Sequence, residues 1–131
     1  MRVSRLSGSI MCKDQKLCDF ELNGYNVIVT NVEKPKDYVP FEFRKKCGPA
    51  EVYDFIQDRL PEDGRQNLLK DCMICGIQMT AEDIIHYSCG RVVDDPCWIR
   101  FSSGPQTYEE CRADSVRKSD YYNSVYRRYY D

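Results

Sequence analysis

The chain has 131 residues, 42% hydrophobic and 31% charged, with 19 basic against 21 acidic side chains and a net charge of −2. This length suits one domain of ordinary size, and the charge balance lacks the basic excess of a dedicated nucleic-acid binder. No apolar run approaches the roughly 20 residues needed to cross a bilayer, and the N-terminus lacks the apolar core of a secretory signal. An intracellular, reducing setting in cytoplasm or nucleus is therefore expected, where the eight cysteines act as metal ligands or buried thiols. The alternative is a disulfide-rich secreted fragment whose signal has been removed.

Residues 1–16 are polar and mixed and are expected to form a loosely held arm. Cys18, Phe20 and Leu22 then alternate with Asp19 and Glu21, and Val27 and Val29 share a face opposite Ile28. Asn23-Gly24 lies between the two runs, and both residue types tolerate positive φ, so a β-hairpin is predicted across about 17–31. Residues 31–48 carry two prolines and no clean period, and predict an irregular connection with a short extended piece at Phe41–Arg44. Pro49 suits a first helical turn, and Val52, Phe55, Ile56 and Leu60 fall on one helical face that ends at Pro61. A turn at PEDG follows, then one more helical turn from Arg65 to Lys70.

Ile84–Tyr87 is predicted as a short strand, Cys89-Gly90 as a turn and Val92-Val93 as a returning strand. Asp95 with Pro96 predicts an N-cap and a short helix through Cys97, Trp98 and Phe101. Thr107 with Glu110 makes a capping box that starts a further helix near Tyr108. The tail holds five of the ten tyrosines, with Tyr122, Val125, Tyr126 and Tyr129 on one helical face.

Five cysteines, the single histidine and the single tryptophan lie between Asp71 and Arg112. The spacing is Cys72-x2-Cys75-x13-Cys89-x-Arg91-x2-Asp94-x2-Cys97-x10-Tyr108-x2-Cys111. These gaps resemble the RING-type zinc finger, whose eight ligands form four pairs that interleave around two zinc ions. The resemblance implies a first site of Cys72, Cys75, Asp94 and Cys97, with a carboxylate oxygen as fourth donor. It implies a second site of Cys89, Arg91, Tyr108 and Cys111. A guanidinium offers no lone pair, so that site has lost its metal and is held, as in a U-box, by hydrogen bonds and packing. One Zn²⁺ is expected. His86 is an alternative fourth ligand in place of Asp94, and a compact knuckle of Cys72, Cys75, His86 and Cys89 is a further arrangement. Buried thiols without metal are the plain alternative. Cys12, Cys18 and Cys47 have no evident partner and are expected in the core.

The resulting fold class is α+β: a small RING/U-box-like zinc module at 71–112, an N-terminal hairpin and helix layer at 1–70, and a Tyr-rich C-terminal helix at 113–131. The resemblance also implies partner-binding residues. Ile74 with Trp98 or Phe101 would line a groove for a ubiquitin-conjugating enzyme, and Arg112 would orient the ubiquitin thioester. Tyr122, Tyr126 and Tyr129, with the neighbouring arginines, match the composition of interface hot spots. Two functions follow: a structural or assembly protein acting through protein–protein contacts, and a ubiquitin ligase acting by orientation alone. In overall character the chain is similar to small cysteine-rich, nucleocapsid-associated proteins of large insect DNA viruses, which would place it in a virion. Other proteins are the expected partners, an oligomer included, with no membrane and no direct specific nucleic-acid ligand. A lone histidine supplies neither a catalytic zinc site nor a triad.

Overall fold

A computed structural model describes residues 1–33, 43, 46–62, 66–92 and 95–130, with the side chains at 129 and 130 outside the description. The architecture is α+β, with one four-stranded antiparallel sheet and four helices among the described residues. The strands are β1 (Arg5–Cys12), β2 (Gln15–Asn23), β3 (Asn26–Thr30) and β4 (Cys97–Arg100), in spatial order β3-β2-β1-β4. The helices are α1 (Pro49–Asp58), α2 (Leu68–Cys75), α3 (Ala81–Ser88) and α4 (Tyr108–Tyr130).

The β2–β3 hairpin is present, with Asn23 opposite Asn26 and the turn at Gly24 and Tyr25. Gly24 takes a φ of 67°, where a side chain would be strained. The N-terminal arm, by contrast, is a central strand. Leu6, Ile10 and Cys12 alternate inward, and β1 pairs with β2 on one side and β4 on the other. The Ser7-Gly8-Ser9 stretch hides this alternation in the sequence, yet Gly8 is where Arg100 approaches: a Cβ there would lie 2.9 Å from the Arg100 carbonyl oxygen. A bulge opposite Ile10 and Met11 turns both Leu17 and Cys18 inward.

Helix α1 begins as Pro49 foretells. The Gly48 N–H donates to the Glu51 carboxylate at 3.1 Å, and Val52, Phe55 and Ile56 are fully buried. Of the extended piece expected at 41–44, only Phe43 is described; it is buried and lies 5.6 Å from the Phe55 ring. The PEDG turn falls largely outside the described residues, as does Val93.

Two predicted elements are corrected. Residues 84–87 belong to helix α3, not a strand. Thr80 accepts the Asp83 N–H at 3.2 Å as N-cap, which satisfies an end group of the helix. Residues 97–100 form strand β4, not a helix. Asp95 does accept the Cys97 N–H at 2.8 Å, the local bond that suggested a cap. Pairing of Cys97–Arg100 with Ser9–Cys12 then supplies the backbone hydrogen bonds that a helix would have supplied. The Cys72-x2-Cys75 knuckle is also helical, lying in the last turn of α2, which Gly76 closes at a φ of 73°.

The main core runs from Val3 to Phe101 and takes side chains from β1, β2, α1, α3 and β4. The expected boundary at 70/71 thus crosses one shared core, and that at 112/113 falls inside α4. By strand alternation Met11 and Trp98 point to the opposite face. There they form a second cluster with Cys89 and Cys111, and Tyr108 packs against it.

Candidate functional site

Strand β4 and the helices on either side of it gather most of the residues singled out in the sequence. Trp98 is fully buried, and its indole N–H donates to the Lys13 carbonyl at 2.7 Å. Next to Lys13, the Asp14 carboxylate accepts the Tyr108 N–H at 2.7 Å, placing a negative charge at the N-terminus of α4. The Thr107 hydroxyl accepts the Glu110 N–H at 3.1 Å, completing the start of α4 as its capping box predicts. Cys89 follows α3 in a left-handed conformation, and its carbonyl accepts the Ile99 N–H at 2.7 Å. Next in line, Gly90 has a φ of 63°, and a Cβ there would meet Ile99 Cδ1 at 2.8 Å.

This geometry brings Cys89, Arg91, Tyr108 and Cys111 together. The Cys89 and Cys111 thiols are in hydrogen-bond contact, which draws Cys89 below the ordinary thiol value and pushes Cys111 above it. The Arg91 guanidinium lies 5.7 Å from the Tyr108 ring centre, and that of Arg112 lies 5.8 Å away. Both approach the limit of a cation–π contact. The Arg91 Nε is buried without a hydrogen-bond partner.

The first ligand set is not assembled in the same way. Cys72 and Cys75 line an open cleft of about 380 Å³, together with Arg59, Asp71, Ile84 and Arg91. Cys97 lies instead in the main core, opposite Cys12 on β1, and burial pushes its thiol well above the ordinary value. Asp94 is outside the described residues. His86 is exposed, stacks on Phe101 at 4.0 Å and faces a different groove with Cys89. Among the described residues no three His, Cys, Asp or Glu side chains converge as metal donors. Among the described residues the structure thus does not bring Cys72, Cys75 and Cys97 together, nor Cys72 and Cys75 with His86 and Cys89. The physical reason is β4: strand pairing with β1 turns Cys97 into the core.

The expected partner-binding residues divide. Ile74, Trp98 and Phe101 are buried and serve packing, so they present no groove to a partner. Arg112 is exposed on α4. The Tyr122 hydroxyl donates to the Asp71 carboxylate at 2.6 Å, which holds its pKa at about 12, and its ring stacks on Tyr126 at 5.8 Å. The Lys118 ammonium donates to the Tyr87 carbonyl at 2.6 Å. Through these contacts α4 lies along α2 and α3, while Val116 and Tyr121 remain exposed on its far side. The Tyr129 side chain is outside the description.

The partners of the other cysteines are not evident from the sequence. Cys12 faces Cys97 across β1 and β4, and Cys18 is in hydrogen-bond contact with Cys47. The alternation of Cys97, Ile99 and Phe101 around Trp98 was the available signal for β4, and the Thr80-x2-Asp83 cap was that for α3. No helix among the described residues is long and apolar enough to cross a membrane. No protein-family model matches the chain, and no curated protein and no solved structure matches it either.

Proposed function

We propose that this chain is a structural protein–protein interaction module, an assembly part whose contact edge is helix α4. The observation that carries this is the helix itself. It runs 23 residues, about 34 Å at 1.5 Å per residue, yet Cys111 is its only buried residue among the described ones. Its free side presents Val116 and Tyr121 among Arg112, Arg117, Arg127 and Arg128. Tyrosine and arginine beside an apolar residue suit an interface anchor, because they bury large area and still satisfy polar groups. A place in a viral nucleocapsid is one setting for such a part.

A photo-crosslinking residue placed at Tyr121 in the full chain tests the edge. One discrete crosslinked protein species is expected, with Arg128→Ala or Val116→Asp weakening its yield. A diffuse smear unaffected by either substitution counts against the reading. An autoubiquitination assay separates the ligase: no ubiquitin chains are expected, and chain formation lost in Arg112→Ala would replace the scaffold reading. Zinc enters this reading through Cys72 and Cys75, which share the open cleft. Native mass spectrometry counts it: one ion supports a metal-stabilised module, and none leaves the module held by its core alone.

A further inference from the structure

Six of the eight cysteines stand in three facing pairs, each joining parts of the fold that are distant in the chain. Cys12 and Cys97 are directly opposite in the β1–β4 ladder. The Lys13 N–H donates to the Pro96 carbonyl at 2.9 Å, which makes Lys13–Pro96 a hydrogen-bonded position of that ladder. Cys12–Cys97 is then the adjacent non-hydrogen-bonded position, where Cα atoms lie about 4.5 Å apart and side chains are closest. A disulfide spans Cα separations of roughly 4.4–6.8 Å. Cys89 and Cys111 touch beneath Trp98, in a cluster sealed from solvent. Cys18 and Cys47 touch where the chain entering α1 crosses β2, with Cys18 fully buried and Cys47 half-buried. Thiols scattered at random through a core would not fall into disjoint facing pairs.

We propose that Cys12–Cys97, Cys18–Cys47 and Cys89–Cys111 are disulfide sites, oxidised by a small-molecule disulfide of the glutathione class while the chain folds. In each pair one thiolate attacks the small-molecule disulfide and releases one of its thiols. The second cysteine thiolate then displaces the other. Two S–H bonds are lost, one protein S–S bond forms, and the oxidant is reduced to two thiols. Timing follows from burial: once folded, five of these six sulfurs are shielded from solvent reagents, and the sixth, on the half-buried Cys47, faces the buried Cys18. The three bonds tie edge strand β4 to β1, the entry of α1 to β2, and the end of α3 to α4. Cys72 and Cys75, which line the open cleft, stay outside the set. In a reducing compartment the same pairs remain thiols, the form the structure holds.

The test refolds the full chain from denaturant in mixed oxidised and reduced glutathione, unfolds it in denaturant containing N-ethylmaleimide so that every remaining thiol is alkylated, and maps peptides without reduction. The expected result is a fall from eight alkylatable thiols to two, at Cys72 and Cys75, with the three stated linkages. The urea midpoint is expected to rise, and dithiothreitol to reverse the rise. Cys12→Ser with Cys97→Ser should lose one linkage and keep two. If that variant does not fold, Cys18→Ala with Cys47→Ala replaces it, with linkages 12–97 and 89–111 expected. Eight alkylated cysteines at every redox ratio, or linkages that cross between the pairs, overturn the proposal.

Discussion

Replacing Asp95 by Ala should destabilise this fold strongly. The Asp95 carboxylate accepts from Arg59 Nη2 at 2.6 Å, and its other oxygen takes the Cys97 N–H at 2.8 Å. The Arg59 side chain is only 5% exposed and that of Asp95 19% exposed, so solvent screens the pair poorly. Arg59 also donates to the Gly90 carbonyl at 3.3 Å and covers the Phe55 ring at 4.3 Å. Removing the carboxylate strands a buried guanidinium, a loss of about 3–5 kcal/mol. For a domain of this size that is a fall in Tm of about 10–20 °C. The assay is urea unfolding followed by Trp98 fluorescence, run as a cycle with Arg59→Met, which keeps the stem packed on Phe55. The double variant should be more stable than Asp95→Ala alone, with a coupling above about 1.5 kcal/mol. A cost below about 1 kcal/mol, typical of exposed pairs, or an additive cycle would refute the argument.

Glu82 accepts from the backbone N–H of Ser4 at 2.7 Å and Asp19 from the Ser9 hydroxyl; these bonds hold both carboxyls below their ordinary values. Their contribution is therefore present above the unfolded values near pH 4 and lost as pH falls through the lower folded ones; Glu82→Gln with Asp19→Asn should flatten the acid limb of stability against pH. Gly90→Ala should destabilise by more than about 1 kcal/mol in urea unfolding, because a positive φ and the Ile99 contact both oppose a side chain; an unchanged midpoint would mean the turn after α3 is not as described. Trp98→Ala should cost about 3–5 kcal/mol, combining a cavity with an unmet Lys13 carbonyl, and a purely surface role would leave stability unaltered. Tyr122→Phe should leave the core intact and speed amide exchange in the second half of α4, since the bond to Asp71 is a main tie of that half to α2. Equal exchange in both forms would show that the tie is dispensable.

Where an element announces itself through neighbours in the chain, the sequence alone determined it. Asn23-Gly24 between alternating runs specifies the β2–β3 hairpin, Pro49 with one apolar face specifies α1, and Thr107 with Glu110 specifies the start of α4. Each rests on bonds or φ values local to a few residues. The cluster of Cys89, Arg91, Tyr108 and Cys111 was also marked by its spacing, although as a motif and not as a packed pair of thiols. Only the tertiary structure decided β1, β4 and the partners of the remaining cysteines. Ser7-Gly8-Ser9 looks like an arm until β2 and β4 flank it. Asp95-Pro96 makes one local bond, to the Cys97 N–H, that serves a helix or a strand equally. What chooses the strand is β1, more than 80 positions earlier, whose unpaired edge takes up Cys97–Arg100. That choice turns Cys97 toward Cys12 and away from Cys72 and Cys75. Spacing along the chain cannot register it, because strand pairing is a contact between distant segments and leaves no period in either one.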